Sequence, residues 1–250
     1  MDHGAWDYAA DTRGYSWGVF LEYNQPRWAI RFASVMEPIR ANEIELDRNF
    51  PAARGDNLEL ELRHTTIGRP SVTRLLLFEN HANMGNYRAT LDTPAYGMDV
   101  TKSRGASVKY GAGLSTETAL TDELGLFAKL AWNDGRTETW AFTEIDQSFS
   151  AGVSVKGTSW NRTDDTVAVA LGMNGLSQDH RDYLASGGLG FMLGDGRLNY
   201  APEEILECYY RLSLKPGLQA TGDYQFINHP AYNADRGPVT VLSVRMHLEI

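Results

Sequence analysis

The chain has 250 residues, with 23 Lys and Arg against 32 Asp and Glu, a formal charge of -9. That acid excess argues against a nucleic-acid surface, and no basic stripe with interleaved aromatics relieves it. Hydrophobic residues make up 42% and mean hydropathy is -0.37, which suits a single domain over residues 1–250, and no run of 18 apolar residues is present to cross a bilayer as a helix.

Residues 1–15 are polar and irregular, and are expected to form a loop above the first strand. Alternation then begins. Trp17, Val19, Leu21 and Tyr23 share one parity and Ser16, Gly18 and Glu22 the other, because side chains along a strand point to alternate faces. Leu58, Leu60 and Leu62 oppose Glu59, Glu61 and Arg63, and Val108, Tyr110, Ala112 and Leu114 oppose Lys109, Gly111, Gly113 and Ser115. Further on, Leu206, Cys208, Tyr210 and Leu212 oppose Glu207, Tyr209, Arg211 and Ser213, and Leu218, Ala220, Gly222, Tyr224 and Phe226 oppose Gln219, Thr221, Asp223 and Gln225. The last stretch sets Thr240, Leu242, Val244, Met246, Leu248 and Ile250 against Val241, Ser243, Arg245, His247 and Glu249. Eleven such stretches occupy the chain from residue 16 onward.

The connections between them alternate as well. Short links fall at 24–26, 65–69, 116–122, 157–165 and 215–217, most with Gly, Pro, Asn or Asp turn chemistry. Long ones fall at 37–56, 80–106, 134–147, 174–203 and 228–237. This is the pattern of an all-β, antiparallel transmembrane β-barrel with short periplasmic turns and long extracellular loops. A water-soluble antiparallel sheet shows the same alternation. Two features favour the membrane: charged residues share the polar parity with Gly, Ser and Ala, as a wet lumen requires, and aromatics such as Trp17, Tyr23 and Trp132 bracket the apolar parity, as interfacial girdles do. Single-chain bacterial barrels have even strand numbers, so eleven strands beginning below a loop read as the later part of a longer barrel. The first residues carry neither a basic region nor an apolar core of a signal peptide, which is expected in the full-length protein.

Short motifs then carry a resemblance. Asp2-His-Gly-Ala-Trp-Asp-Tyr-Ala-Ala-Asp-Thr-Arg-Gly-Tyr15 and Glu22-Tyr-Asn-Gln-Pro-Arg-Trp28 are followed in order by Asn80-His-Ala-Asn-Met-Gly85, Trp132-Asn-Asp-Gly-Arg136, Arg162-Thr-Asp-Asp165, Glu207-Cys-Tyr-Tyr210, Asp223-Tyr-Gln-Phe-Ile227 and Asp235-Arg-Gly-Pro238. Together they resemble the carbohydrate-selective porins of the OprB family along essentially the whole chain. The resemblance implies an outer-membrane barrel of about sixteen strands, of which about five would lie upstream. It implies sugars as the diffusing solute, outer-membrane lipid around the wall and the barrel-assembly machinery as a partner. The chain departs from barrel habit at its end, where Ile250 stands at the outward parity in place of an aromatic.

A sugar is neutral, rich in hydroxyls and apolar on its ring faces, so a channel that prefers it needs bidentate donors and acceptors together with aromatic planes. Parity supplies the candidate pore-lining residues Glu22, Arg27, Arg31, Glu59, Glu61, Arg63, Arg74, Lys109, Lys129, Lys156, Glu207, Tyr209, Arg211, Asp223, Gln225 and Arg245. Arg74 sits awkwardly with Glu79, which has the opposite parity on the same strand. Loop aromatics Trp6, Tyr8, Tyr87, Tyr96, Trp140, Tyr183 and Tyr200 form a second set, which either pins the loops together or offers an approach for sugar rings. The poorly alternating stretch 184–193, with Gly187, Gly188 and Gly190, is expected in an external loop that folds inward and narrows the pore.

Enzyme chemistry finds no footing. The chain lacks a Gly-x-Ser-x-Gly elbow, a His-Glu-x-x-His motif and a phosphate loop. Its six histidines show no ligand spacing, and the single Cys208 excludes an internal disulfide, so neither metal nor cofactor is expected. The competing functional readings are a barrel for inorganic or small organic ions and, more remotely, a soluble β-sheet binding protein.

Overall fold

The computed structural model describes residues 4–140 and 144–249. Eleven strands form one antiparallel sheet in strict chain order: β1 Gly18–Asn24, β2 Trp28–Met36, β3 Arg54–Thr66, β4 Arg69–Met84, β5 Gly105–Ala119, β6 Leu124–Asn133, β7 Gln147–Gly157, β8 Arg162–Gly175, β9 Glu203–Lys215, β10 Leu218–Asn228 and β11 Val239–Leu248. β1 and β11 are the edge strands of this open sheet. Several strands outrun their expected bounds, and the long connection 80–106 shortens to 85–104 because β4 continues to Met84. The ladder persists there because the backbone of 80–84 pairs fully with 105–109.

Tight turns close one rim. Ile67 and Gly68 both take positive φ, 53° and 73°, the geometry whose twist matches paired strands. Asn161 and Gly217 do the same at two further turns, with φ of 62° and 77°. At the opposite rim the long loops carry helix α1 Tyr87–Leu91 and helix α2 Gln178–Ala185. Asn86 caps α1 by accepting from the Ala89 N–H, and Ser177 caps α2 by accepting from the His180 N–H.

Register sorts the two faces. Leu75, Leu114, Leu130, Phe149 and Met173 lie in one cross-strand row, each 40% or more exposed. Leu58, Leu62, Leu242, Val244 and Met246 are exposed too, while Glu61, Lys109, Ser115, Ser150 and Thr221 on the other face are buried. A water-soluble sheet would hide the leucines; a sheet that exposes them over many strands is built for hydrocarbon. Aromatics mark both borders of this band: Tyr23 and Trp28, and Trp160 and Tyr210, toward the short turns, and Tyr110 with Trp132 toward the loops. Glu79 and His81 share the outward parity but lie beyond Leu77 at the loop end of β4, past the apolar band, which resolves their conflict with Arg74.

The loops have a core of their own. Tyr87, Val100, Leu176, Tyr183, Leu184 and Tyr232 bury one another, and Tyr87 stacks on His180 with ring centroids 4.4 Å apart. Burial would raise the Asp146 carboxyl, but His180 beside it, Lys109 and the Ser177 N–H bring it below the usual carboxylate range. Stretch 184–193 belongs to this assembly: the Glu144 carboxylate accepts from the Phe191, Met192 and Leu193 N–H groups. The stretch thus lies, as expected, in a long loop, the connection between β8 and β9.

The first segment folds onto the inner wall. Residues 5–11 lie on the inward face of β3 to β6, where Ala5, Asp7, Ala9, Ala10 and Asp11 are buried. A cross-strand set of polar side chains fastens them. Asn57 accepts from the Trp6 indole at 2.9 Å, the Asn80 amide donates to the Asp7 carbonyl, the Asn133 amide donates to the Ala5 carbonyl at 3.0 Å, and Lys109 pairs with the Asp7 carboxylate. The expected position of 1–15 as a loop above the barrel is thus overturned for residues 5–11, because this inner row offers their backbone the donors that water would otherwise supply. The expectation for Ile250 lies outside the described residues.

Candidate functional site

The inward faces of β1 to β5 hold a connected charge network. Register places Arg31 between Glu22 and Glu59 on its neighbouring strands, and its guanidinium reaches both, at 2.5 and 2.6 Å, as well as Glu61 at 3.1 Å. Glu61 also takes Arg63 at 2.7 Å and Arg74 at 2.8 Å, and Arg74 reaches on to Glu117 at 2.9 Å. One carboxylate thus anchors three guanidiniums across β2, β3 and β4, holding long side chains in a fixed array.

Beside the network lies a pocket of about 330 Å³, lined by Trp6, Leu76 and Phe127 together with Glu59, Arg74, Ser115, Glu117 and Lys129. Trp6 comes from the inward segment and Phe127 from β6, two residues before Lys129 on the same face. Trp6 also meets Tyr8 edge to face at 5.9 Å. Aromatic surface, cations and carboxylates therefore share one concavity on the inward wall. Two larger apolar grooves, lined by residues such as Leu114, Leu130, Trp132, Leu126 and Val153, lie on the outward face and suit lipid chains.

The remaining lining candidates divide by position. Glu207 and Gln225 meet at 3.4 Å, Arg211 donates to Thr166 at 2.8 Å, and Ser243 donates to Asp223 at 3.5 Å, forming a second polar strip on β8 to β11 with Tyr209 and Arg245 at the same parity. Lys156 is exposed near the short-turn rim. Arg27 is corrected: it sits in the turn between β1 and β2, where its carbonyl accepts from the Arg63 N–H, since the hairpin closes before the strand parity resumes at Trp28. Lys109 is also corrected as an open lining residue, because the inward segment covers it to 1% exposure.

The loop aromatics separate in the same way. Trp140, Tyr87 and Tyr183 are each 1% exposed, so they pin loops and cannot meet a passing ring. Trp140 donates to the Pro38 carbonyl at 3.1 Å, and the Tyr183 hydroxyl bridges the Met98 and Leu189 carbonyls. Tyr200 is half-buried under the Arg181 guanidinium at 3.8 Å, and Tyr96 is half-buried in a short turn. Trp6 and Tyr8 alone of this set lie on the inward segment.

Sequence reading missed Phe127, Glu117, Leu76 and Asn57. Their signal was present: Phe127, Leu76 and Phe78 are apolar residues at the polar parity, which marks a place where something packs on the inner wall. Gly111 belongs to the same signal, because a Cβ there would lie 2.6 Å from the Phe78 ring and 2.4 Å from the Trp132 carbonyl oxygen. Among the described residues, Asp56, Glu79 and His81 bring potential metal-ligand atoms within 4.8 Å of one another, a grouping made by register across β3 and β4 that spacing along the chain does not reveal. Arg54 and Ser34 already bind the Asp56 carboxylate there.

Comparison with known proteins gives the same architecture. The sequence matches the profile of the family described as carbohydrate-selective porin, OprB family, over residues 4–249. The fold is similar to Pseudomonas putida OprB in its high-pH structure, with a TM-score of 0.75 at 17% identity, covering 93% of this chain and 58% of that one. The low-pH structure of the same protein aligns at a TM-score of 0.55 and 14% identity, covering 93% and 54%. Acinetobacter baumannii OccAB1 aligns at 0.53 and 12% identity, covering 94% and 67%. The chain thus spans about three-fifths of the length of the first of these. Among curated proteins, none matches the sequence.

Proposed function

The chain belongs to the carbohydrate-selective porins of the OprB family, and on that premise we propose that its inward face forms a path for passive diffusion of sugars across the bacterial outer membrane, with the pocket between Trp6 and Phe127 as a transient seat for a pyranose ring. No reaction is involved. A wetted wall replaces hydrocarbon, and its side chains sort what passes.

The observation that carries this reading is the charge balance around the pocket. Arg31, Arg63, Arg74 and Lys129 supply four cations, and Glu22, Glu59, Glu61 and Glu117 supply four carboxylates, so the wall has dense hydrogen-bonding capacity and no net charge. An ion of either sign gains little from such a wall, because each attraction is offset by a neighbour. A polyol gains donors and acceptors together, and Trp6 and Phe127 offer planes to its C–H faces. The pyranose seat, the wider lining on β8 to β11 and the assembly machinery as folding partner all belong to this proposal.

Swelling of proteoliposomes containing the full-length gene product tests it. Glucose is expected to enter faster than gluconate or glucosamine of nearly the same size. Faster entry of either charged solute would favour an ion channel instead. Protein that stays monodisperse without detergent would favour the soluble sheet.

A further inference from the structure

Glu37 follows β2 at the loop rim, is fully buried, and has no hydrogen-bond partner for either carboxyl oxygen among the described residues. Asn80 on β4 is buried as completely, and its Oδ1 is equally without a partner. Both face Gly55, which pairs with Asn80 in register: a Cβ built there would lie 3.5 Å from Glu37 Oε1 and 2.9 Å from Asn80 Oδ1. Both are acceptors that converge on Gly55 in a dry place, and as acceptors they cannot satisfy each other. A proton on Glu37 turns one of its oxygens into a donor for Asn80 Oδ1, so of the three orphaned oxygens only the second Glu37 oxygen stays without a partner among the described residues.

The other end of the Asn80 amide donates to the Asp7 carbonyl, next to Trp6. We propose that Glu37 is a positioning residue for the sugar pocket: its neutral carboxyl donates to Asn80 Oδ1, fixes the amide facing Asp7, and so holds the inward segment and Trp6 against the wall. Ionisation of Glu37 leaves its two oxygens and Asn80 Oδ1 as three unpaired acceptors and loosens the segment. The importance of this for sugar selection rests on the pocket reading above; the fastening itself does not.

Burial pushes the Glu37 carboxyl well above the usual carboxylate range, and Asp7 on the inward segment adds to the rise. Lys109 on β5 opposes it, but its ammonium lies 3.3 Å from Asp7 Oδ2 and 3.3 Å from the Thr137 carbonyl. Among the described residues, Asp7 and Lys109 are the charged groups that act on Glu37. The folded protein therefore holds this proton more tightly than the unfolded chain. The fastening is complete below the ordinary glutamate range and is lost as pH rises through the raised value.

The test uses the full-length gene product in planar bilayers, with KCl conductance and the residence time of glucose recorded from pH 5 to 10. The wild type is expected to show a conductance step upward, and a loss of glucose residence, as pH rises. Glu37→Gln keeps a donor for Asn80 Oδ1 without an ionisable proton, and is expected to retain low-pH behaviour throughout. Glu37→Ala lacks the donor and is expected to show high-pH behaviour throughout. A pH step that survives in Glu37→Gln overturns the proposal, as does a flat profile in the wild type. A conductance step without any glucose effect would uphold the fastening and sink the pocket reading, and glucose binding without a step would do the reverse.

Discussion

Asp7 and Lys109, 102 residues apart in the chain, meet as an ion pair of 3.3 Å with both side chains only 1% exposed. Lys109 also approaches the Thr137 and Glu138 carbonyls, and the Trp140 N–H donates to the Asp7 carboxylate at 2.9 Å. The inward segment, β5 and the loop between β6 and β7 are therefore joined at one buried point. Lys109→Met leaves the Asp7 carboxylate without its cation, at a cost of about 3–5 kcal/mol. Amide hydrogen exchange is expected to speed up in residues 5–11 far more than in β8 to β10. Adding Asp7→Asn should recover part of the loss, and equal exchange in the variant and the wild type would contradict the role assigned to the pair.

Glu61 is the hub of the inward charge network, binding Arg31, Arg63 and Arg74. Glu61→Gln removes one negative charge from a balanced wall and leaves the guanidiniums around it with a net positive charge to act on passing ions, although Arg31 keeps Glu22 and Glu59 and Arg74 keeps Glu117. The reversal potential in a KCl gradient is expected to move toward chloride, and more strongly at low ionic strength, where screening is weaker. A move toward potassium would mean that these residues do not face the conducting path.

Leu171 and Ala170 are neighbours on β8 with opposite fates. Leu171 is 59% exposed on the apolar face, whereas Ala170 stands across from Glu207 on the inward one. Arginine in place of Leu171 is expected to destabilise the folded barrel by about 2–4 kcal/mol if the site is near the bilayer midplane. Arginine in place of Ala170 meets a carboxylate and water and should fold normally while reducing conductance. Urea titration in lipid vesicles measures the first effect, and equal stability losses at the two positions would contradict the assignment of faces.

The loop core has an acid limit. The Asp146 carboxyl lies 2.9 Å from His180 Nδ1 and is held below the usual carboxylate range despite its burial. Such a group contributes stability that is present above the ordinary aspartate value and is lost as pH falls through the lowered one. Protease protection of residues 178–185 is expected to be flat above about pH 4 and to decline below it, with the decline absent in Asp146→Asn. A decline that is unchanged in that variant would assign the effect to another group.

The wall was legible because parity is a local property: Leu58 to Arg63 declare their two faces within six residues, and the Ile67-Gly68 and Pro216-Gly217 turns declare where the chain reverses. The inward segment was not. Ala5 to Asp11 have no period, and their place depends on Asn57, Asn80, Lys109 and Asn133, which only the register of four strands brings together. Parity also could not show that Lys109 is covered and Trp6 partly open, since both outcomes follow from that same segment. Arg27 failed for a simpler reason, because a turn residue beside a strand has no face.

The most direct test of the central claim is glucose block of single-channel current through the full-length gene product, in the wild type and in a Trp6→Ala, Phe127→Ala double variant. The account predicts reversible block in the wild type that is lost in the double variant while KCl conductance is retained or increased. Block of equal strength in both proteins, or no block in the wild type, would contradict it.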